Sequence, residues 1–158
     1  TFEKLKKINS KIEFSSDFII GYPEEQEKDF KLTLDLIKRI RFINSFSFIF
    51  SPRPGTVAAD LKLIDRKISL ERLQIVQNEL YNNQVQMNKS LINNNVDVLV
   101  ENLTDDKTKL FGRNEHMTPV IFDGNKENIG KIMSIKITQM NRNLLFGNIN
   151  TNSNQKVA

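Results

Sequence analysis

The apolar residues of this chain come in strand-sized runs, and their spacing changes character part of the way along. The longest uninterrupted runs, such as residues 18–20, 48–50 and 98–100, are too short for a membrane-spanning helix and suit buried strands. The first run ends residues 11–21 and is halted by Gly21-Tyr22-Pro23. Glu24, Glu25 and Glu27 come next, where a helix N-terminus favours negative charge. Phe30, Leu34, Ile37 and Arg41, widened by Leu36 and Ile40, then mark one helical face. In residues 42–50, Phe46, Phe48 and Phe50 alternate with Ser45, Ser47 and Ile49, which predicts a second strand with its phenylalanines in the core. Strand, helix and strand with short joints form a βαβ unit, whose two strands run parallel.

The second strand runs into Ser51-Pro52-Arg53-Pro54-Gly55-Thr56, a loop stiffened by two prolines, with Thr56 placed to cap the next segment. Ser69 is placed to cap a long helix with a thin stripe of Leu73, Val76, Leu80, Met87 and Leu91, which reads as a connector. Beyond about residue 89 the spacing changes to period two. Val96, Val98 and Val100 alternate with Asp97 and Glu101, and short strands fit residues 109–113, 120–122, 131–138 and 144–149. Turn signals separate them at Asp105-Asp106, Gly112, Asp123-Gly124 and Gly130. Five short strands in so small a space predict a five-stranded β-barrel of the oligonucleotide-binding type. The fold class is therefore α/β followed by all-β.

Composition narrows the chemistry. With 158 residues, 39% hydrophobic and 27% charged, the chain is long enough for a real core. It has no cysteine and one histidine, His116, which reads as a surface residue. Disulfides, thiolate zinc sites, a thiol nucleophile and clusters held by the chain's own thiolates are thereby excluded. A net charge of +4 and a pI near 9.3 permit an anionic partner such as RNA. The basic, amphipathic first residues lack the apolar block and cleavage site of a secretory signal, so a cytoplasmic location is expected, with no membrane partner. Because position 1 is Thr, the chain reads as a piece of something longer or as a remnant.

Three stretches carry a family resemblance. SSDFIIGYPEE at residues 15–25, with Asp29-Phe30, resembles the fifth barrel strand of radical S-adenosylmethionine enzymes. FSFIFSPRPGT at residues 46–56, with Ala58-Ala59, is similar to the sixth strand and loop of their tRNA methylthiotransferase branch, the type acting on isopentenyl-adenosine beside the anticodon. LFGRN at 110–114, with Ile129-Gly130, IKIT at 135–138 and LLFG at 144–147, resembles the TRAM domain, a small RNA-binding barrel that ends those enzymes. The chain departs from the family's pattern at Glu24, where Gly is usual, at Gln26, where Thr is usual, and at Met117-Thr118, where Asn-Arg is common.

The resemblance implies the end of a TIM-like radical S-adenosylmethionine barrel with a connector helix over residues 1–87, a TRAM domain over 88–150 and a polar tail over 151–158. It implies S-adenosyl-L-methionine and two 4Fe-4S clusters as cofactors of a parent enzyme. None of the cluster ligands lies in this chain, which is expected to be inactive alone. Gly21, Tyr22, Pro23 and Arg53 are the candidate cofactor contacts, since ligands in parallel α/β architectures bind at strand C-termini. The sequence leaves open whether Arg53 meets a ligand or RNA or pairs with Asp17, Glu24 or Glu25. Lys109, Arg113, Lys131, Lys136 and Arg142 are the candidate RNA contacts, with Phe111 and Phe122 either stacking on bases or buried in the core. The implied partners are tRNA and a separately encoded N-terminal part of the same enzyme. A non-catalytic RNA-binding module and a remnant of a split gene remain as alternatives.

Overall fold

The computed structural model describes residues 1–141 and 143–150, and the chain divides into two compact units, Thr1–Asn83 and Gln84–Ala158. The first unit contains α1 (Phe2–Ile8), β1 (Asp17–Ile20), α2 (Glu27–Ile40), β2 (Phe46–Ile49) and most of α3 (Arg66–Ser90). The strands β1 and β2 pair in parallel, from Asp17 opposite Phe46 to Ile20 opposite Ile49, as the βαβ pattern predicts. β1 stops at Gly21, whose φ of +73° is costly for a side chain, and an added Cβ would strike the Ser69 side chain. Glu24 also adopts positive φ, the strained position that the departure from the family's glycine suggests. At the start of α2 the Asp29 carboxylate accepts from the Gln26 backbone N–H at 2.9 Å. Arg41, expected on the apolar face, instead ends α2 in the left-handed conformation and is exposed.

The core of this unit joins Phe18 and Ile20 of β1, Phe30 and Ile37 of α2, Phe42, and Val76 and Leu80 of α3. Edge-to-face rings tie Phe2 to Phe14, Phe2 to Phe42 and Phe18 to Phe42 at 4.9, 5.6 and 5.3 Å. Each such pair is worth about 0.5–1.5 kcal/mol beyond its buried area. Several expectations are corrected here. Phe46 and Phe48 are 63% and 55% exposed, and Ile19 beside them is 58% exposed. Register explains it: Ile19, Phe46 and Phe48 share one sheet face, while the buried core lies on the Phe18 and Ile20 face. As far as Leu80, α3 is a core helix rather than a bare connector, because Val76 and Leu80 are buried in this unit. Its start is capped by Asp65, whose carboxylate accepts from the N–H groups of Lys67 and Ile68 at 2.7 and 3.4 Å. Ser69 lies inside the first turn, buried, and donates back to the Asp65 carbonyl at 3.2 Å. Thr56 precedes a short 3₁₀ turn, but its hydroxyl donates to the Arg53 carbonyl at 2.8 Å instead of capping that turn.

In the second unit, β3 (Asn95–Leu103), β4 (Leu110–Asn114), β5 (Pro119–Phe122), β6 (Ile132–Met140) and β7 (Leu145–Ile149) close a barrel in the order β3-β4-β5-β7-β6. The pairings are antiparallel except β5 with β7. All five strands expected from the alternating pattern are present. Inward side chains fill the barrel: Val98, Val100, Leu110, Val120, Phe122, Met133, Ile135, Ile137 and Leu145. Phe122 therefore belongs to the core and does not serve for stacking. A Cβ at Gly112 would run into the Leu99 carbonyl, and one at Gly147 into the Lys136 carbonyl, so both glycines allow close backbone approach. The β4–β5 turn is held by Asn114, whose buried side-chain oxygen accepts from the N–H groups of His116 and Thr118 at 3.0 and 2.9 Å. No helix among the described residues is long and apolar enough to cross a membrane.

Candidate functional site

The first candidate site lies at the C-terminal ends of the parallel strands. After β1 the chain turns through Gly21, Tyr22 and Pro23; after β2 it enters the proline loop through Phe50. The Phe50 N–H donates to the Ile20 carbonyl at 2.8 Å, and the Tyr22 and Phe50 rings meet edge to face at 5.0 Å. The two loops therefore leave the sheet side by side, and the structure brings Tyr22 next to the root of the loop that carries Arg53. The backbone of the first turn is already engaged. The Gly21 N–H donates to the Glu25 carboxylate at 3.0 Å, and the Tyr22 carbonyl accepts from the Glu25 N–H at 3.0 Å. Pro23 is buried and has no N–H to offer. What remains for a ligand is the exposed Tyr22 side chain and the Arg53 guanidinium, which is exposed and makes no ion pair among the described residues.

Arg53 pairs with none of Asp17, Glu24 and Glu25, and Glu25 has a different partner. Arg72 of α3 donates from Nη1 to the Glu25 carboxylate at 2.7 Å and to its carbonyl at 3.1 Å, and from Nη2 to Glu27 at 3.2 Å. Its guanidinium also lies over the Phe30 ring, 5.2 Å from the centroid. The Arg72 side chain is only 9% exposed, so breaking this network leaves a charge in a poorly solvated place. Sequence reasoning passed over Arg72. The signal it offered was a basic residue at helical spacing between Ser69 and Val76, on the face that proves buried.

The second candidate site is the outer surface of the barrel. Arg113 points outward from β4 and donates from Nη1 to both oxygens of Glu101, at 2.8 and 2.6 Å. Its guanidinium lies over the Phe111 ring, 5.3 Å from the centroid. Lys109 is exposed and stands 3.6 Å from Asp123, a surface pair worth about 0–1 kcal/mol. Lys136 points outward from β6, between Asn95 of β3 and Asn148 of β7. Lys131 precedes β6 and is half-buried, with its backbone carbonyl accepting from Val100. Arg142 and the polar tail, residues 151–158, lie outside the described residues. The lysines are thus spread over the barrel, and Arg113 is joined to an acid that the sequence did not single out. His116 is half-buried, with Nε2 3.6 Å from the Glu115 carboxylate. Among the described residues no group of three or more metal-ligating side chains comes together.

Comparison with known proteins bears out the resemblance. Residues 89–149 match the TRAM domain family. Over 157 residues, 99% of the chain, it is 62% identical to the tRNA-2-methylthio-N(6)-dimethylallyladenosine synthase of Pelagibacter ubique, of which it covers 35%. It is 46% identical to the synthase of the same description from Ruthia magnifica over 92% of the chain, covering 33% of that relative. A third, from Pseudoalteromonas atlantica, is 40% identical over 92% of the chain. The chain spans about a third of the length of the curated relatives it matches.

Proposed function

We propose that this chain, a counterpart of about one third of the tRNA-2-methylthio-N(6)-dimethylallyladenosine synthases, is the C-terminal part of such an enzyme. In this reading residues 1–87 end a TIM-like radical S-adenosylmethionine barrel, and residues 88–150 are an RNA-binding TRAM domain. The observation that carries it is similarity along nearly the whole chain to synthases about three times as long. The first unit supports it. Its parallel pair has a free outer edge on each strand among the described residues and an uncovered apolar face of Ile19, Phe46 and Phe48. A two-stranded parallel sheet with one bare apolar face is built to be continued by further strands.

The residues present divide between the cofactors that the reading implies. A cluster of the 4Fe-4S type takes thiolate ligands, and a chain without cysteine has none to give, so this chain does not hold one through its own thiolates. S-adenosyl-L-methionine fits better. Tyr22 presents a ring and a hydroxyl beside the strand ends, and Arg53 presents a guanidinium suited to the cofactor's carboxylate. Gly21 and Pro23 shape the turn, and Arg72 holds it through Glu25. In the complete enzyme a bound cofactor would supply the radical chemistry for methylthiolation of an adenine. This chain's residues would only position it. The remaining partner in this reading is a polypeptide bearing the cysteines, and the setting is the cytoplasm, where the tRNA is.

Binding of the full chain to tRNA across a salt series tests the reading. With about three to five phosphates neutralised, log K falls against log salt with a slope of roughly −2 to −5, and Kd is about micromolar or weaker at physiological salt. No salt-dependent binding would overturn the RNA half of the proposal. Restoration of methylthio-adenosine by co-expression with a cysteine-bearing N-terminal part tests the enzymatic half.

A further inference from the structure

Outward-facing residues of β4, β5 and β7 form a continuous row across three neighbouring strands. Phe111 is in register with Ile121, and Ile121 with Phe146. All three are half-exposed on the outside of a barrel whose interior is filled by other residues. Arg113, two residues beyond Phe111 on the same face, lies between Leu99 and Pro119 in the ladder, and Leu99 is exposed. The guanidinium is therefore set among apolar neighbours, over an aromatic ring, at one end of an aromatic and aliphatic strip.

Its charge is already spoken for. Both Glu101 oxygens lie within hydrogen-bond distance of Nη1, in a charge-assisted contact. A phosphate approaching Arg113 meets the Glu101 carboxylate at close range and must displace it. A nucleobase carries no net charge and meets no such repulsion. Unpaired bases stack on aromatic rings and on the planes of arginine guanidinium groups, and a guanidinium held flat by an acid is prepared for that contact.

We propose that Arg113, clamped by Glu101 and laid over Phe111, is a base-stacking platform and not a phosphate anchor. Together with Phe111, Ile121 and Phe146 it selects unpaired nucleotides, such as those of an RNA loop, over duplex. The proposal rests on the reading of residues 88–150 as an RNA-binding domain and refines what that domain recognises. Glu101 acts as a positioning residue, and the lysines elsewhere on the barrel supply the salt-dependent part of the affinity.

The test measures binding of the full chain to an RNA hairpin with an unpaired loop and to a fully paired RNA duplex, each over a salt series. Wild type is compared with Arg113→Lys, Phe111→Leu and Glu101→Gln. Arg113→Lys keeps the charge and removes the plane, so hairpin binding falls about tenfold, duplex binding stays level and the salt slope is unchanged. Phe111→Leu, which keeps an apolar side chain beneath the guanidinium, lowers hairpin binding in the same selective way. Glu101→Gln releases the guanidinium to phosphate, so duplex binding rises and the slope steepens by about one. The proposal is overturned if Arg113→Lys binds the hairpin as wild type does, or if hairpin and duplex weaken together. Loss of binding to both RNAs by the wild type overturns the RNA reading itself, a result distinct from either.

Discussion

The barrel of the second unit and the two-stranded sheet of the first draw on the same residue types, yet they differ in what they leave open. Around the barrel every strand has two neighbours, and its inward residues, from Val98 to Leu145, are essentially buried. In the first unit, among the described residues, each strand has one neighbour and only the Phe18 and Ile20 face is packed. Closure satisfies backbone groups and apolar faces within some fifty residues, and it needs nothing from outside. An open parallel pair cannot do so. Its stability then depends on a mixed aromatic and aliphatic cluster and on the Arg72 network, and its bare face is open to other chain segments. Because the two units need not unfold together, the stability of each is best read by hydrogen exchange resolved to that unit.

The sharpest contrast pairs two phenylalanines. Phe122→Ala empties a site in the barrel and should destabilise the second unit by about 3–5 kcal/mol. Phe48→Ala, on the exposed face of β2, should change the first unit by about 0.5 kcal/mol or less. Equal losses would mean that the two units are packed alike and would break the comparison. Next in size is Arg72→Met, which keeps the bulk over Phe30 and leaves the Glu25 carboxylate without its buried partner. A loss of about 3 kcal/mol confined to the first unit is expected. If Arg72→Met is neutral, the network contributes no net stability and the turn at Gly21 is held by packing alone.

Without any substitution, amides of β1 and β2 should exchange faster than those of β3, β4 and β6 in the same sample. Equal or greater protection of β1 and β2 would show the open pair to be as stable as the closed barrel. The smallest effect concerns the turn between β3 and β4. The Asp106 carboxylate accepts from the hydroxyls of Thr104 and Thr108 and from the Thr108 N–H, which holds its pKa below the ordinary carboxylate value. A carboxylate with a depressed folded pKa stabilises above its unfolded pKa, and that contribution is lost as pH falls through the folded value. Exchange at Thr108 should therefore rise on acidification in that window, and Asp106→Asn should remove the response. An unchanged acid response in Asp106→Asn would assign the turn's pH dependence to another group.

How much of this was legible beforehand differs between the units for a physical reason. In the barrel each strand has one wet and one dry face, so alternation along the sequence reports burial directly and all five strands follow from it, although it left Phe111 and Phe122 open and only the register turned the first outward and the second inward. In β2 the same alternation misleads. Phe46 and Phe48 are apolar and in phase, but which face is covered depends on the core residues that α2 and α3 supply from outside the strand. Local signals also miss partners distant in sequence. Nothing near Arg113 announces Glu101, and nothing near Glu25 announces Arg72, because each pair is assembled by strand register or helix packing.

The sequence by itself determined the strand-helix-strand order, the change to period two near residue 89, the absence of thiolate ligands and the likeness to the TRAM domain. These are properties of composition and spacing along one chain, which no folding can alter. The tertiary structure decided which phenylalanines face outward, which acid takes Arg72 and which takes Arg113, and so left Arg53 without an acidic partner among the described residues. Those outcomes depend on distances between residues far apart in sequence, and at such ranges a carboxylate bonds whichever guanidinium the packed backbone brings within about 3 Å.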